Sequence, residues 1–202
     1  MKVLIVLSSV LVLFMKQIYS ENPEVIAVKN FKSITNPEVY DKDIRPHLGE
    51  NKTVNVGITF HVIDYKYYAM TKEMTVHMYF RQHWNDPRLQ NQMENATKVL
   101  GGKSLVDRLW IPDTFFPNSN SVEIFKYPAP NVLTRILTNG DILYSERLIV
   151  TLECTAAKNG PVNCPVLIES YGYSYQDIDY NWAKGNYSRL VADFKLRPLN
   201  NL

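Results

Sequence analysis

TVHMYFRQHW, residues 75–84, alternates side chains in the way a half-buried β-strand does. Successive side chains of a strand point to opposite faces, so Val76, Met78, Phe80 and Trp84 share one face and Thr75, His77, Tyr79, Arg81 and His83 the other. The first face reads as core. The second sets an aromatic ring beside a guanidinium, and two readings of that pair stand side by side. The fork of Arg81 can bind a carboxylate through two charge-assisted hydrogen bonds while a ring covers an ammonium group, which would hold a small zwitterion. Alternatively this is an exposed strand face whose arginine pairs with a neighbouring acid, a common and energetically weak arrangement.

Working outward, β-branched and aromatic residues recur in short runs separated by Gly, Pro, Asn and Asp. They predict strands over Thr53–Val62, Glu73–Trp84, Ser121–Lys126, Val132–Leu137, Ile142–Glu153, Val166–Tyr173 and Leu190–Leu196. Such a series means an all-β sandwich or barrel. Pro23–Ile34 is expected to form a short N-terminal helix, and Gln90–Leu105, with Gly101-Gly102, a loop. A second aromatic segment, LWIPDTFFPN at residues 109–118, combines Trp110, an X-Pro turn and paired phenylalanines. Phe115 and Phe116 there can plug a sandwich end or line a ligand wall.

Several function classes are excluded or weakened. The Gly-x-Ser-x-Gly elbow, phosphate-cradling glycine loops and His-Glu-x-x-His are missing, so no enzyme is indicated. His77 and His83 share a face but stand about 20 Å apart in extended chain, too far to hold one metal. No cofactor or metal is expected. Lys2 precedes an apolar run over Val3–Phe14, too short to span a bilayer, which reads as a signal peptide of residues 1–20. Residues 21–202 then form the folded domain, with 20 basic against 20 acidic side chains once Lys2 and Lys16 are removed from the 22 in the whole chain. That neutrality gives no basic field for nucleic acid, and the remaining apolar runs are too short for a membrane span. In the oxidising secretory pathway Cys154 and Cys164 are expected to form a disulfide around TAAKNGPVN, and the sequons at Asn51, Asn95 and Asn186 fit a glycoprotein, secreted or at the cell surface.

Taken in order, YDKDIRP at residues 40–46, FRQHWNDPRL at 80–89, LWIPDTFFPN, GDILYSERL at 140–148, the cysteine pair and ESYGYSYQDIDYNW at 169–182 resemble the extracellular domain of Cys-loop pentameric ligand-gated ion channels. The likeness is to the anion-selective glycine, GABA and glutamate-gated chloride branch. It implies an immunoglobulin-like β-sandwich, assembly into a homo- or hetero-pentamer with related subunits, and a small amino-acid-type transmitter bound between neighbours. Carried over by motif, Tyr79 and Arg81 would form the complementary-side carboxylate clamp, with Leu133, Arg135, Leu143 and Ser145 on adjacent strands. Phe115, Phe116, Glu169, Ser170, Tyr171 and Tyr173 would come from the principal side, and Tyr187 in GNYS would be the capping aromatic. Read without the resemblance, Arg135 and Arg147 are ion-paired strand residues, Ser145 a strand-surface serine, Glu169 a solvated acid, and Tyr171 and Tyr173 packing residues.

The chain also departs from the family pattern. Its inter-cysteine loop is shorter and lacks the Phe-Pro-x-Asp tip, and Ser119 stands where many relatives carry an acid. From Trp182 only three residues lead to Gly185, where the family has a further strand and the loop opposite the agonist. These departures suit a pore-less relative truncated before any transmembrane region. Two alternatives remain: a non-binding subunit fragment that sequesters partner subunits, and a secreted sandwich hydrolase or carbohydrate-binding protein using scattered carboxylates.

Overall fold

The computed structural model describes residues 23–90, 98–156 and 162–183. A short helix α1 (Pro23–Ile34) leads into β1 (Val54–Tyr68) and β2 (Glu73–Asn85), then β3 (Lys98–Gly101), a one-turn helix α2 (Lys103–Val106), β4 (Thr114–Phe115) and β5 (Ser119–Ile124). After these come β6 (Val132–Leu137), β7 (Asp141–Glu153), β8 (Thr155–Ala156), β9 (Val162–Asn163), β10 (Glu169–Ser170) and β11 (Ile178–Trp182). The main sheet runs β11-β1-β2-β7-β6-β3, and β5 also pairs with β7. All pairings are antiparallel except β1 with β11.

Strand β2 alternates half-buried and buried positions along its whole length, with Met74, Val76, Met78, Phe80, Gln82 and Trp84 inward. Val54, Val56, Ile58 and Phe60 of β1 and Ile142, Tyr144, Leu148, Val150 and Leu152 of β7 complete that inner face. Each large side chain removed from water here contributes on the order of 2 kcal/mol. The face is covered by residues 109–116 and the β4–β10 ribbon: Trp110 meets Trp84 edge-on with centroids 6.1 Å apart, and Phe116 meets Phe80 at 5.2 Å. The architecture is an all-β sandwich with a short N-terminal helix. That helix has proline in its first turn and buries Ala27 and Phe31, one turn apart on one face.

Helix α1 and strand β6 match their expected limits, while β1 runs six residues beyond Val62, past a register shift between Val62 and Asp64. Two expectations are corrected. The loop expected over Gln90–Leu105 contains β3 and α2; a Cβ on Gly101 would lie 2.2 Å from Leu105 Cδ1, so this glycine serves close packing rather than a free loop. Of the strand expected over Val166–Tyr173 only Glu169–Ser170 pairs, because the backbone beyond it turns toward Asp113, which accepts from the amide of Gly172 at 2.7 Å. Leu190–Leu196 and residues 1–20 lie outside the described residues. Among the described residues, no helix is long and apolar enough to cross a membrane.

Cys154 and Cys164 are joined, with Cα atoms 4.2 Å apart. The amide of Cys154 donates to the Lys72 carbonyl at 2.8 Å, tying the disulfide turn to the β1–β2 hairpin. Asn51 sits exposed in a turn at φ 52°, while Asn95 and Asn186 lie outside the described residues.

Candidate functional site

Register brings the expected complementary-side residues onto one surface. Arg81 lies opposite Thr59 on one side and Ser145 on the other, and Ser145 lies opposite Leu133, so one row crosses β1, β2, β7 and β6. The neighbouring row holds His83, Leu143 and Arg135, and the next holds His61, Tyr79 and Arg147. All share the outer face because directly opposed residues in an antiparallel pair project to the same side. Tyr79, Arg81, Leu133, Arg135, Leu143 and Ser145 therefore lie on one face of the sheet.

Arg81 has no carboxylate within ion-pairing distance among the described residues. Its flanks are hydroxyls: Ser145 is buried, and Thr59 is buried with its Oγ1 unbonded. Arg147 differs. Its Nε donates to His77 Nε2 at 2.8 Å and its guanidinium lies 4.2 Å from the Phe125 ring centroid, so it is held by a histidine and a ring rather than by an acid.

One row away, His83, Leu143 and Arg135 line a cleft of about 330 Å³ with Asn55, Asn85 and Asp141 at its polar rim. Burial, then the guanidinium charges of Arg135 and Arg81, hold the His83 imidazole below its ordinary pKa and favour its neutral form.

Of the residues expected on the principal side, Phe115, Glu169, Ser170 and Tyr171 gather on the ribbon. Glu169 pairs with Phe115 and Ser170 with Thr114, and the rings of Phe115 and Tyr171 meet edge-on at 5.6 Å. Tyr171 is 83% exposed, whereas Tyr173 is half-buried against the core. Phe116 is 7% exposed and packs on Phe80, as the reading of this ring as a plug of the sandwich end expects, since alternation at this turn sends one of the two adjacent rings inward; it also lines a cavity of about 350 Å³ with Phe115. Tyr187 lies outside the described residues.

Asp113 carries a role that its sequence context hid. Its carboxylate accepts from the Ser170 hydroxyl and the Gly172 amide, and its carbonyl accepts from the Tyr171 amide at 3.2 Å. It thereby shapes the whole Ser170–Gly172 turn. An aspartate after proline reads only as a turn residue, and partners more than fifty positions away leave no local signal.

The two groups of residues belong to different sides of the chain. Thr114 donates to the side-chain amide oxygen of Gln82 and shares a 2.9 Å hydrogen bond with the Tyr180 hydroxyl. Gln82 projects to the face opposite Arg81. The ribbon with Phe115, Glu169 and Tyr171 therefore stands behind the sheet whose front carries Arg81 and Tyr79.

A family profile described as "Neurotransmitter-gated ion-channel ligand binding domain" matches residues 29–197. The gamma-aminobutyric acid receptor subunit gamma-4 of Gallus gallus is 36% identical over 160 residues, covering 76% of this chain and 34% of the relative. The gamma-3 subunit of Homo sapiens is 35% identical over 153 residues, covering 73% of this chain and 32% of the relative. The chain thus spans about a third of the length of these curated relatives. These relatives are receptor subunits, not enzymes. The chain belongs to the neurotransmitter-gated ion-channel ligand-binding domain family, on its GABA receptor branch.

Proposed function

We propose that this domain binds a small amino-acid-type transmitter at the junction between neighbouring subunits, Arg81 taking the ligand carboxylate and the Phe115–Tyr171 pair of the adjacent subunit taking its ammonium group. The observation that carries this reading is the placement of Arg81 and Tyr79 on the sheet's front and of Phe115, Glu169 and Tyr171 behind it. One copy supplies each half once, and a second copy placed head to tail completes the site. Heterologous contacts of that kind close into rings when the rotation allows. An Arg–carboxylate fork joins two charge-assisted hydrogen bonds to the attraction of the charges, and an aromatic face adds cation–π attraction.

On this reading Leu133 and Leu143 give apolar walls and Ser145 a hydroxyl beside the guanidinium. The chain enters the secretory pathway through residues 1–20 and acts on the extracellular side, secreted or at the membrane surface with related subunits, with exposed Asn51 available to a glycan. Calorimetry of the chain against glycine, GABA and glutamate tests the proposal, together with Arg81→Ala. Binding of at least one ligand, weakened about a hundredfold by the substitution, is expected from the loss of a charge-assisted bidentate contact. Unchanged affinity in Arg81→Ala would overturn the assignment.

A further inference from the structure

His83 has no part in the ligand clamp described above, yet it stands where a bound carboxylate would feel it. It lies two residues from Arg81 on the same strand face and opposite Leu143 in the adjoining row. With Arg135 it lines a cleft in the row of the sheet next to that of Arg81. We infer that His83 is a ligand-recognition residue whose protonation tightens the hold of this groove on a carboxylate. The inference rests on the reading of Arg81 as the carboxylate anchor.

The electrostatic surroundings of His83 can be named strand by strand. On β2 its charged neighbour is Arg81, with Asn85 beyond it. On β6 it faces Arg135, on β7 Leu143 with Asp141 at the strand start, and on β1 Gly57 with Asn55 nearby. Of these, two guanidinium groups oppose protonation and one aspartate at the cleft rim favours it. Burial and the two arginines hold the imidazole neutral near pH 7.

A ligand carboxylate entering this groove reverses that balance. It partly neutralises Arg81 and Arg135 and attracts an imidazolium directly, so the complex takes up a proton more readily than the empty groove does. By linkage, a ligand that raises the proton affinity of His83 must itself bind more tightly as pH falls. The affinity rises as pH falls through the value His83 has in the complex and levels off below its lowered value in the empty groove, while the carboxylates of the ligands stay ionised.

The test is calorimetry of the full chain with glycine, GABA and glutamate at about pH 7.5 and about pH 5.5, with circular dichroism confirming the fold at both. Wild type is expected to bind about tenfold more tightly at the lower pH, the size of one added charge at a few ångströms in a half-exposed cleft. His83→Gln is expected to lose that increase and still bind. His83→Lys, permanently charged, is expected to bind near pH 7.5 about as tightly as wild type does near pH 5.5. A pH-independent wild type, or a His83→Gln variant that keeps the full increase, would overturn the inference. Arg81→Ala separates the two failures: lost binding in that variant beside a pH-insensitive wild type sinks only His83, whereas unaltered binding in Arg81→Ala sinks the site itself.

Discussion

Tyr40 donates its hydroxyl to Asp86 at 2.8 Å, joining two residues 46 positions apart around a carboxylate with no solvent exposure. The same phenol oxygen accepts from the amide of Trp110 at 3.0 Å, so one hydroxyl fastens together YDKDIRP, NDPRL and LWIPD. Arg88 completes the cluster with Nε to Asp86 Oδ1 at 2.9 Å and Nη2 to Oδ2 at 2.7 Å, its guanidinium 4.2 Å from the Tyr40 ring centroid. Burial and the adjacent Asp86 charge push the Tyr40 phenol far above its ordinary pKa, which keeps it a donor throughout the accessible pH range. These motifs mark the joint that holds residues 109–116 over the inner face.

Replacing Tyr40 by Phe removes one donor from Asp86 and leaves the Trp110 amide unsatisfied. A loss of about 1 to 3 kcal/mol is expected, the cost of stranding a buried polar group. Asp86→Ala should cost more, about 3 to 5 kcal/mol, because Arg88 then keeps a half-buried charge without its partner. Urea denaturation of both variants checks the ranking, and an Asp86→Ala loss smaller than that of Tyr40→Phe would contradict this account of the cluster.

Gly140 is the second place where one residue controls the joint. Its φ is 82°, its carbonyl accepts from the Asp86 amide at 2.9 Å, and an added Cβ would lie 2.5 Å from the Asp86 carbonyl oxygen. Gly140→Ala meets both left-handed strain and a backbone clash, so it should destabilise the domain by about 2 kcal/mol or more. Thermal unfolding measures it, and a variant that melts with wild type would show that this turn relaxes freely.

These cases mark what the sequence made legible. Alternation over residues 75–84 located Arg81, Tyr79 and His83 on one face because period-two patterning survives wherever one face is buried. Helix α1 keeps its expected range Pro23–Ile34, with proline in its first turn and Ala27 and Phe31 buried on one face. The roles of Phe115 and Phe116 were not, since neighbours in a turn point opposite ways and only pairing with Glu169 decides which ring goes inward. Strand β3 and the one-turn helix after it were hidden by a glycine pair that looks flexible until Leu105 is seen against Gly101. Asp113 escaped for the same reason: its partners are close only in space.

Asp113→Asn tests the proposed principal side without touching a ligand. Where the Ser170 hydroxyl and the Gly172 amide converge on the carboxylate, an amide offers a single acceptor oxygen and turns a donor against one of them. The Tyr171 turn should loosen while the distant Tyr40 cluster keeps the fold. About tenfold weaker transmitter binding with little change in melting temperature is expected, the equivalent of one misplaced hydrogen bond. Wild-type affinity in this variant would mean that the turn contributes nothing to the site.

Acid stability separates two kinds of titrating group. Asp177 accepts from the Ser174 hydroxyl and from buried Arg45, each at 2.7 Å, and these contacts, the serine first, hold its carboxyl below the usual carboxylate range. A depressed folded-state pKa means that the folded chain binds fewer protons, so the contribution is complete above the ordinary aspartate value and is lost as pH falls through the folded value. His77 is also held low, by burial and then by Arg147, so it too is deprotonated in the fold, here as a neutral imidazole, and weakens the fold on protonation, starting near the ordinary histidine value. Stability should therefore fall in two stages, a shallow one below about pH 6.5 and a steeper one below about pH 4. Asp177→Asn should be less stable than wild type at neutral pH, and the gap should close below about pH 4, where wild type loses the same charge. Urea midpoints taken across that range decide it, and a gap that stays constant to the lowest pH would show that the Arg45–Asp177 contact does not titrate with the fold.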